Sequence, residues 1–214
     1  AVWAEENTRD AIFSAMQRRE AYASSGPRIS LRFFAGWGFD ESIIDAVDAV
    51  ALATTGGVPM GGVLVPDIEQ ADSPTFFVWA SADLMSAPLQ RIQMIKGWID
   101  DQGQTHELVQ DISCSDGLQV DPVTQRCPNN GASVDISNCT ILGDSGAAQL
   151  VAAWKDPAYR PDQTAFYYVR VLQNPTCRWS TYDSLRLGQA PPTHVPSTIQ
   201  ERAWSSPIWV DAVD

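Results

Sequence analysis

Two apolar runs separated by one turn constrain this chain more than any other feature. Residues 92–99 and 106–112 flank Asp100-Asp101-Gln102-Gly103, a polar loop with a glycine late in it. Strand-length runs on either side of such a loop read as a β-hairpin. Residues 75–80, 149–154 and 166–172 read as further strands, and the last is apolar on both faces, which places it centrally in a sheet. The run DQTAFYYVRV has the pattern of a late sandwich strand entered through a corner tyrosine. Upstream, Ile29, Leu31 and Phe33 alternate with Arg28, Ser30 and Arg32, the period of a half-buried strand. Several short strands with turn signals between them predict an antiparallel β-sandwich.

The front of the chain reads differently. Val2 and Trp3 run into Glu5 and Glu6, Asn7 or Thr8 is placed to cap a helix, and Asp10 sits in its first turn. Ile12, Ala15, Met16 and Arg19 follow helical spacing, and Gly26-Pro27 is a stop signal. That is a strand, loop and helix of an α/β layer, and one such unit cannot bury its own faces. Residues 1–27 are therefore expected to be the last strand and helix of an α/β barrel, cut from a longer chain. Residues 28–214 are expected to be a β-sandwich-like domain, giving an α+β, mostly β fold. Within it, Ile43, Ile44, Val47, Val50 and Ala51 predict a helix over 41–53, capped by Asp40 and broken by TTGGVPMGG. The tail is proline-rich until ERAWSSPIWV, whose two tryptophans are expected to dock on the body.

Charge and cysteines limit the partners. Twenty-six acids against 14 bases give a net charge of −12, which repels phosphate backbones and excludes nucleic acid as an expected partner. No apolar run approaches the ~20 residues of a membrane span. Cys114, Cys127, Cys139 and Cys177 contain no CxxC pair, so a structural zinc site is not expected. Four cysteines allow three connectivities. Cys114–Cys127 with Cys139–Cys177 is favoured, because the first closes SDGLQVDPVTQR, a loop with little apolar surface to hold it down. Disulfides imply an oxidising compartment, periplasmic or extracellular.

Candidate chemistry is sparse. Gly143-Asp144-Ser145-Gly146 mimics a serine-protease nucleophile loop, but that chemistry needs an oriented histidine base. Of two histidines, His106 follows a hairpin turn and His194 lies in PPTHVP, so a surface turn is the better reading. Two scattered histidines build no catalytic metal site. GGVPMGG lacks the Lys-Ser/Thr ending of a phosphate loop. What remains is Glu5, Glu6 and Asn7, directly after a strand where α/β barrels place active-site loops. Arg28, beside Ser24 and Ser25, and Arg178 with Trp179 could supply anion or ring contacts.

The strings AVWAEENTRDAIFSAMQRREAYASSGPRISLRFF, GVPMGG, RIQMIKGWID, AFYYVRVLQNPTCRWSTYDSLRLG and QERAWSSPIWV resemble the C-terminal part of domain-of-unknown-function family 3604, exported bacterial proteins. The resemblance spans essentially the whole chain. It implies a much longer protein whose N-terminal part resembles the PHP metal-dependent hydrolases, with a divalent transition metal held upstream and no metal ligand here. The implied function is a C-terminal fragment of a phosphoesterase-like hydrolase, inactive alone. It would complete the barrel and wall the pocket, with that barrel as its partner. Glu5 and Asn7 would then sit at the barrel mouth, and Arg28, Arg178 and Trp179 would meet a small anionic substrate. Two alternatives stay open: a non-catalytic binding module for glycan, cell wall or protein, and a domain that only stabilises the barrel.

Overall fold

The computed structural model describes residues 1–65 and 72–212. Helix α1 (Arg9–Gln17) leads to strands β1 (Tyr22–Ser24) and β2 (Ser30–Gly36). A 3-10 turn (Glu41–Asp45) and α2 (Ala49–Gly56) follow, then β3 (Gly57–Pro59), β4 (Val63–Leu64) and β5 (Thr75–Ser81). The long hairpin β6 (Leu89–Ile99) and β7 (Thr105–Cys114) precedes a short one, β8 (Ser133–Asp135) and β9 (Thr140–Leu142). The chain continues through β10 (Gln149–Lys155), β11 (Ala165–Gln173), β12 (Thr176–Cys177) and α3 (Trp179–Leu187). It closes with β13 (Thr198–Ile199), β14 (Arg202–Ser205) and β15 (Ile208–Val210).

Strand β11 organises the larger sheet. It pairs antiparallel with β6 along one edge and with β14 and β15 along the other. Beyond these lie β7 on β6, β1 on β14, and β4, which pairs parallel with β15. The smaller sheet runs β10-β5-β2-β3, all antiparallel. One core fills the space between the sheets: Leu31, Phe33, Phe76, Val78 and Leu150 from the smaller, Ile92, Met94, Tyr167, Val169 and Ile208 from the larger. The fold is mostly β, with the hairpin, the central strand and the two-sheet packing all as the alternation of apolar residues requires.

The outer face of the smaller sheet is also partly covered. Phe34 and Phe77 face away from the main core and pack under Ile43, Ala49 and Ala53. The helix expected over 41–53 is thus two pieces. Asp40 caps the 3-10 turn through Ser42, Ala46 turns the backbone extended, and Val47 stands fully exposed. Breaking the helix lets both Ile43 and Ala53 reach the aromatic pair, which one straight stripe does not achieve. Helix α2 then runs on into TTGG, where the Thr54 and Thr55 hydroxyls bond back to Val50 and Ala51 carbonyls.

The first helix is shorter than its stop signal suggested. Thr8 is its cap, accepting from the Ala11 N–H at 3.3 Å. It ends at Gln17 because Arg19 takes a positive φ of 59° and its guanidinium Nε donates to the Gly61 carbonyl at 2.9 Å. The next residues become strand: β1 pairs with β14, and Val2 bridges Ala21. Through β1 this segment joins the larger sheet. Of α1 only Ala15 is buried, while Phe13 and Met16 are each 59% exposed.

Polar groups are buried where they tie strands together. Lys96 on β6 donates to Asp156 at 2.5 Å and to the Ala158 carbonyl at 2.9 Å. The Tyr167 hydroxyl donates to the same Asp156 oxygen at 2.8 Å. Burial, reinforced by Asp156, pushes the Tyr167 phenol far above its ordinary value, so it stays a donor. Buried Asp111 on β7 accepts from Gln93 and from the Cys127 N–H, both at 2.7 Å. The disulfides are Cys114–Cys127 and Cys139–Cys177. Their sequence separations of 13 and 38 correspond to about 3 and about 4 kcal/mol of loop-closure stabilisation. Asp156→Ala leaves Lys96 buried without its counter-ion and should cost roughly 3–5 kcal/mol in urea unfolding. Full reduction before the same titration should lower the midpoint again.

Candidate functional site

The N-terminal segment crosses the outer face of the smaller sheet and builds a corner there. The Trp3 indole donates to the Leu31 carbonyl at 2.8 Å, and the Arg32 guanidinium lies over its ring, 3.6 Å from the centroid. Arg32 can reach that face because it alternates with the core residues Leu31 and Phe33. It is half-buried, and its nearest carboxylate, Glu20, is 4.0 Å away. Burial pushes the guanidinium below the usual arginine range, with Glu20 opposing the shift. Among the described residues Arg32 makes no side-chain hydrogen bond. An arginine has five N–H donors in a fixed fork, so this cation is held in place with its donors unspent.

Two cavities flank the stacked pair, and both are lined by Trp3 and Arg32. The larger, about 470 Å³, is also lined by Glu5, Arg18, Glu20 and Thr54. The smaller, about 230 Å³, is lined by Ser30, Leu31, Val50, Trp79 and Ser81. Glu5 therefore stands at this corner, and Asn7 is exposed on the same loop just before the Thr8 cap.

The other residues singled out by sequence lie elsewhere. Trp179 is 69% exposed and lines a cavity of about 500 Å³ with Gly26, Pro27, Asp83, Tyr182 and Glu201. Arg28 and Arg178 each follow a residue of this cavity (Pro27, Cys177) without lining it. Arg28 gives its backbone N–H to Asp83 at 2.8 Å. The Arg178 Nε–H donates to the Pro196 carbonyl at 3.1 Å, which ties the side chain to the proline loop. Sequence thus marked one side of each place, and among the described residues Glu5 and Trp179 line different cavities.

Other motifs have structural work. In the GDSG segment the Ser145 carbonyl accepts from Asn174 at 2.7 Å. His106 contacts Asp100 at 2.7 Å and stacks on Trp98. The glycines of GGVPMGG allow backbone crossings: a Cβ on Gly57 would stand 2.3 Å from the Ala35 carbonyl oxygen. Among the described residues no three His, Cys, Asp or Glu side chains converge as a metal-ligand set. A further cavity, about 620 Å³, is lined by Trp98, Phe166 and Trp209 with Glu107 and Asp162.

Arg32 was missed because a strand's alternate positions read as solvated, and Trp79 because it lies within an apolar run. The only signal was that the polar face of residues 28–32 carries two arginines. Arg32→Ala should remove the stack, cost about 1 kcal/mol in thermal unfolding, and change the near-ultraviolet dichroism of Trp3. Asp83 offers a pH check. The Arg28 N–H, then the Met85 N–H, hold its carboxyl below the usual carboxylate range. Its stabilising bonds are full above the ordinary carboxylate value and are lost as pH falls through the depressed one. Carboxyl-carbon NMR should show Asp83 titrating below the exposed aspartates.

No helix among the described residues is long and apolar enough to cross a membrane. The two disulfides fit a non-cytoplasmic compartment. No curated protein and no solved structure matches the chain. A family model does match, over residues 1–212, and the chain accordingly belongs to the protein family of unknown function DUF3604.

Proposed function

We propose that this chain is the C-terminal part of an exported, periplasmic or extracellular metal-dependent hydrolase of anionic esters, and that it walls the substrate pocket from one side. The observation that carries this reading is the Trp3–Arg32 corner. A cation with unspent donors lines a cleft with Glu5, next to a helix whose Phe13 and Met16 are largely exposed. Such an apolar helix face is what a neighbouring layer of an α/β domain would cover. An arginine held by stacking, with its fork free, suits a carboxylate or phosphate group. The chemistry itself would belong to residues outside this chain, and Arg32 would bind and orient.

The aromatic cavity favours a second reading. Phe166 and Trp209 stand 5.2 Å apart at the end of the larger sheet, beside Glu107, Asp162 and Gln163. Exposed rings with carboxylates and an amide around them suit a sugar, whose C–H face stacks while its hydroxyls are hydrogen-bonded. A binding module would use this cavity without any catalytic partner.

The test uses a full-length family member carrying this C-terminal part. Arg32→Gln should raise KM for anionic ester substrates about tenfold with little change in kcat, and a chelator should abolish turnover in both proteins. Equal KM values would remove Arg32 from the pocket. Chelator-insensitive turnover would overturn the hydrolase reading. Glycan binding by the isolated chain, lost in Trp209→Ala, would favour the module instead.

A further inference from the structure

Four arginines converge on the outer face of the larger sheet, although the chain as a whole carries a net charge of −12. Two neighbouring rows of cross-strand partners bring three of them together. One row runs Asp111, Gln93, Arg170 and Trp204 across β7, β6, β11 and β14. The next runs Arg91, Leu172 and Arg202 across β6, β11 and β14. These arginines face away from the main core, because Ile92, Val169, Val171 and Ala203 beside them point into it. Arg126 joins from the loop that follows β7, its guanidinium 3.9 Å from Asp111.

The cluster is held from behind and left open in front. Asp111 and Gln93 beneath it are 3% and 5% exposed. Gln93 donates to Asp111 and accepts from the Arg170 Nε–H, both at 2.7 Å. Arg91 donates to Gln90, with its Nε 3.6 Å from Asp111. Arg202 gives two N–H groups to the Gln200 carbonyl, and Arg126 gives one to the Val109 carbonyl at 2.6 Å. Each guanidinium keeps further N–H groups without a partner among the described residues. Asp111 is the one carboxylate bridged to any of the four, again among the described residues, so three positive charges are in excess. Burial lowers the Arg91 guanidinium, Asp111 opposes that shift, and Arg170, Arg126 and Arg202 push it further down. Like charges gathered in this way repel until an anion meets them.

An extended ligand fits this spread. Arg91 and Arg202 stand two strands apart, about 10 Å across the sheet, so acid groups on successive units of one chain reach more of the cluster than a single small anion does. Rings share the face. Trp204 is the cross-strand partner of Arg170 and lies 5.9 Å from the Arg202 guanidinium, and Tyr168 stacks with Phe166 farther along β11. Aromatic rings take the C–H faces of sugars, and guanidinium forks take carboxylate or sulfate groups. The acidic remainder of the surface repels a polyanion and so confines it to this patch. We propose that the outer face of the larger sheet binds an acidic polysaccharide, a chain of sugars bearing carboxylate or sulfate groups, across Arg91, Arg126, Arg170 and Arg202 with a sugar ring on Trp204. This goes beyond the sugar reading of the Phe166–Trp209 cavity, since acid groups specify the ligand and the arginines stand at the opposite end of β11.

The test is titration of the 214-residue chain with polygalacturonate and with dextran sulfate, followed by calorimetry and tryptophan fluorescence. Dextran serves as the uncharged chain and inorganic polyphosphate as a polyanion without sugars. An acidic polysaccharide should bind saturably and weaken steeply with added salt, the two probes telling carboxylate from sulfate. Dextran should not displace it, and polyphosphate should bind about tenfold more weakly or worse. Arg170→Gln should weaken binding about tenfold, and so should Arg126→Gln, whose side chain stands on a loop and can be changed without disturbing a strand. Arg186→Gln on α3 removes the same charge and should leave binding unchanged. Failure of both acidic chains to bind, dextran or polyphosphate binding as tightly, or an equal loss in Arg186→Gln would each overturn the proposal. Trp209→Ala reads the aromatic cavity separately. Wild-type binding of the acidic chain by that variant leaves this proposal standing without the cavity, and dextran binding lost there while the arginine variants change nothing leaves the cavity standing without this proposal.

Discussion

The buried Lys96–Asp156–Tyr167 cluster is the interaction on which the rest of the sandwich depends. Lys96 comes from β6, Tyr167 from β11, and Asp156 from the connection that leaves β10 in the opposite sheet. One carboxylate therefore joins the two adjacent strands at the centre of the larger sheet to the edge strand of the smaller. A buried ion pair adds little net stability, because desolvation offsets the attraction. Its value is discrimination. A slip of one residue in β6 or β11 would turn Lys96 or Tyr167 to the wrong face and leave Asp156 uncompensated. Asp111 acts similarly at the rim, where it fixes the Cys127 backbone before the disulfide adds its constraint.

Against that background the Arg32 corner stands apart. Lys96, Asp111 and Asp156 have their partners, as the low-dielectric interior demands. The Arg32 side chain and the Trp79 indole nitrogen, paired across β2 and β5, have no hydrogen-bond partner among the described residues.

The β architecture was readable because period-2 alternation and a glycine-bearing turn are local signals. The 92–112 hairpin came from such signals, the central position of residues 166–172 from apolar residues on both faces, and the favoured disulfide pairing from the polar loop that Cys114 and Cys127 close. Helix limits were less readable. The end of α1 at Gln17 depends on Arg19 meeting Gly61, and the break at Ala46 depends on an aromatic pair on another layer. Both are tertiary contacts that no window of sequence contains. The same holds for the site. Glu5 was found because it follows an apolar pair, whereas Arg32 and Trp79 become neighbours only through the β2–β5 register. Arg178 drew attention as a possible anion contact, and its Nε–H bond to a proline-loop carbonyl is again a contact that no window of sequence contains.

The pairing of β14 and β15 with β11 carries a consequence for the order of assembly. The central strand gains its second edge from residues 202–210, and β1 (Tyr22–Ser24) pairs with β14 (Arg202–Ser205). The larger sheet thus cannot close until residues 202–210 have been made, and its longest-range pairing waits for them. Both disulfides, by contrast, join residues that precede that closing step.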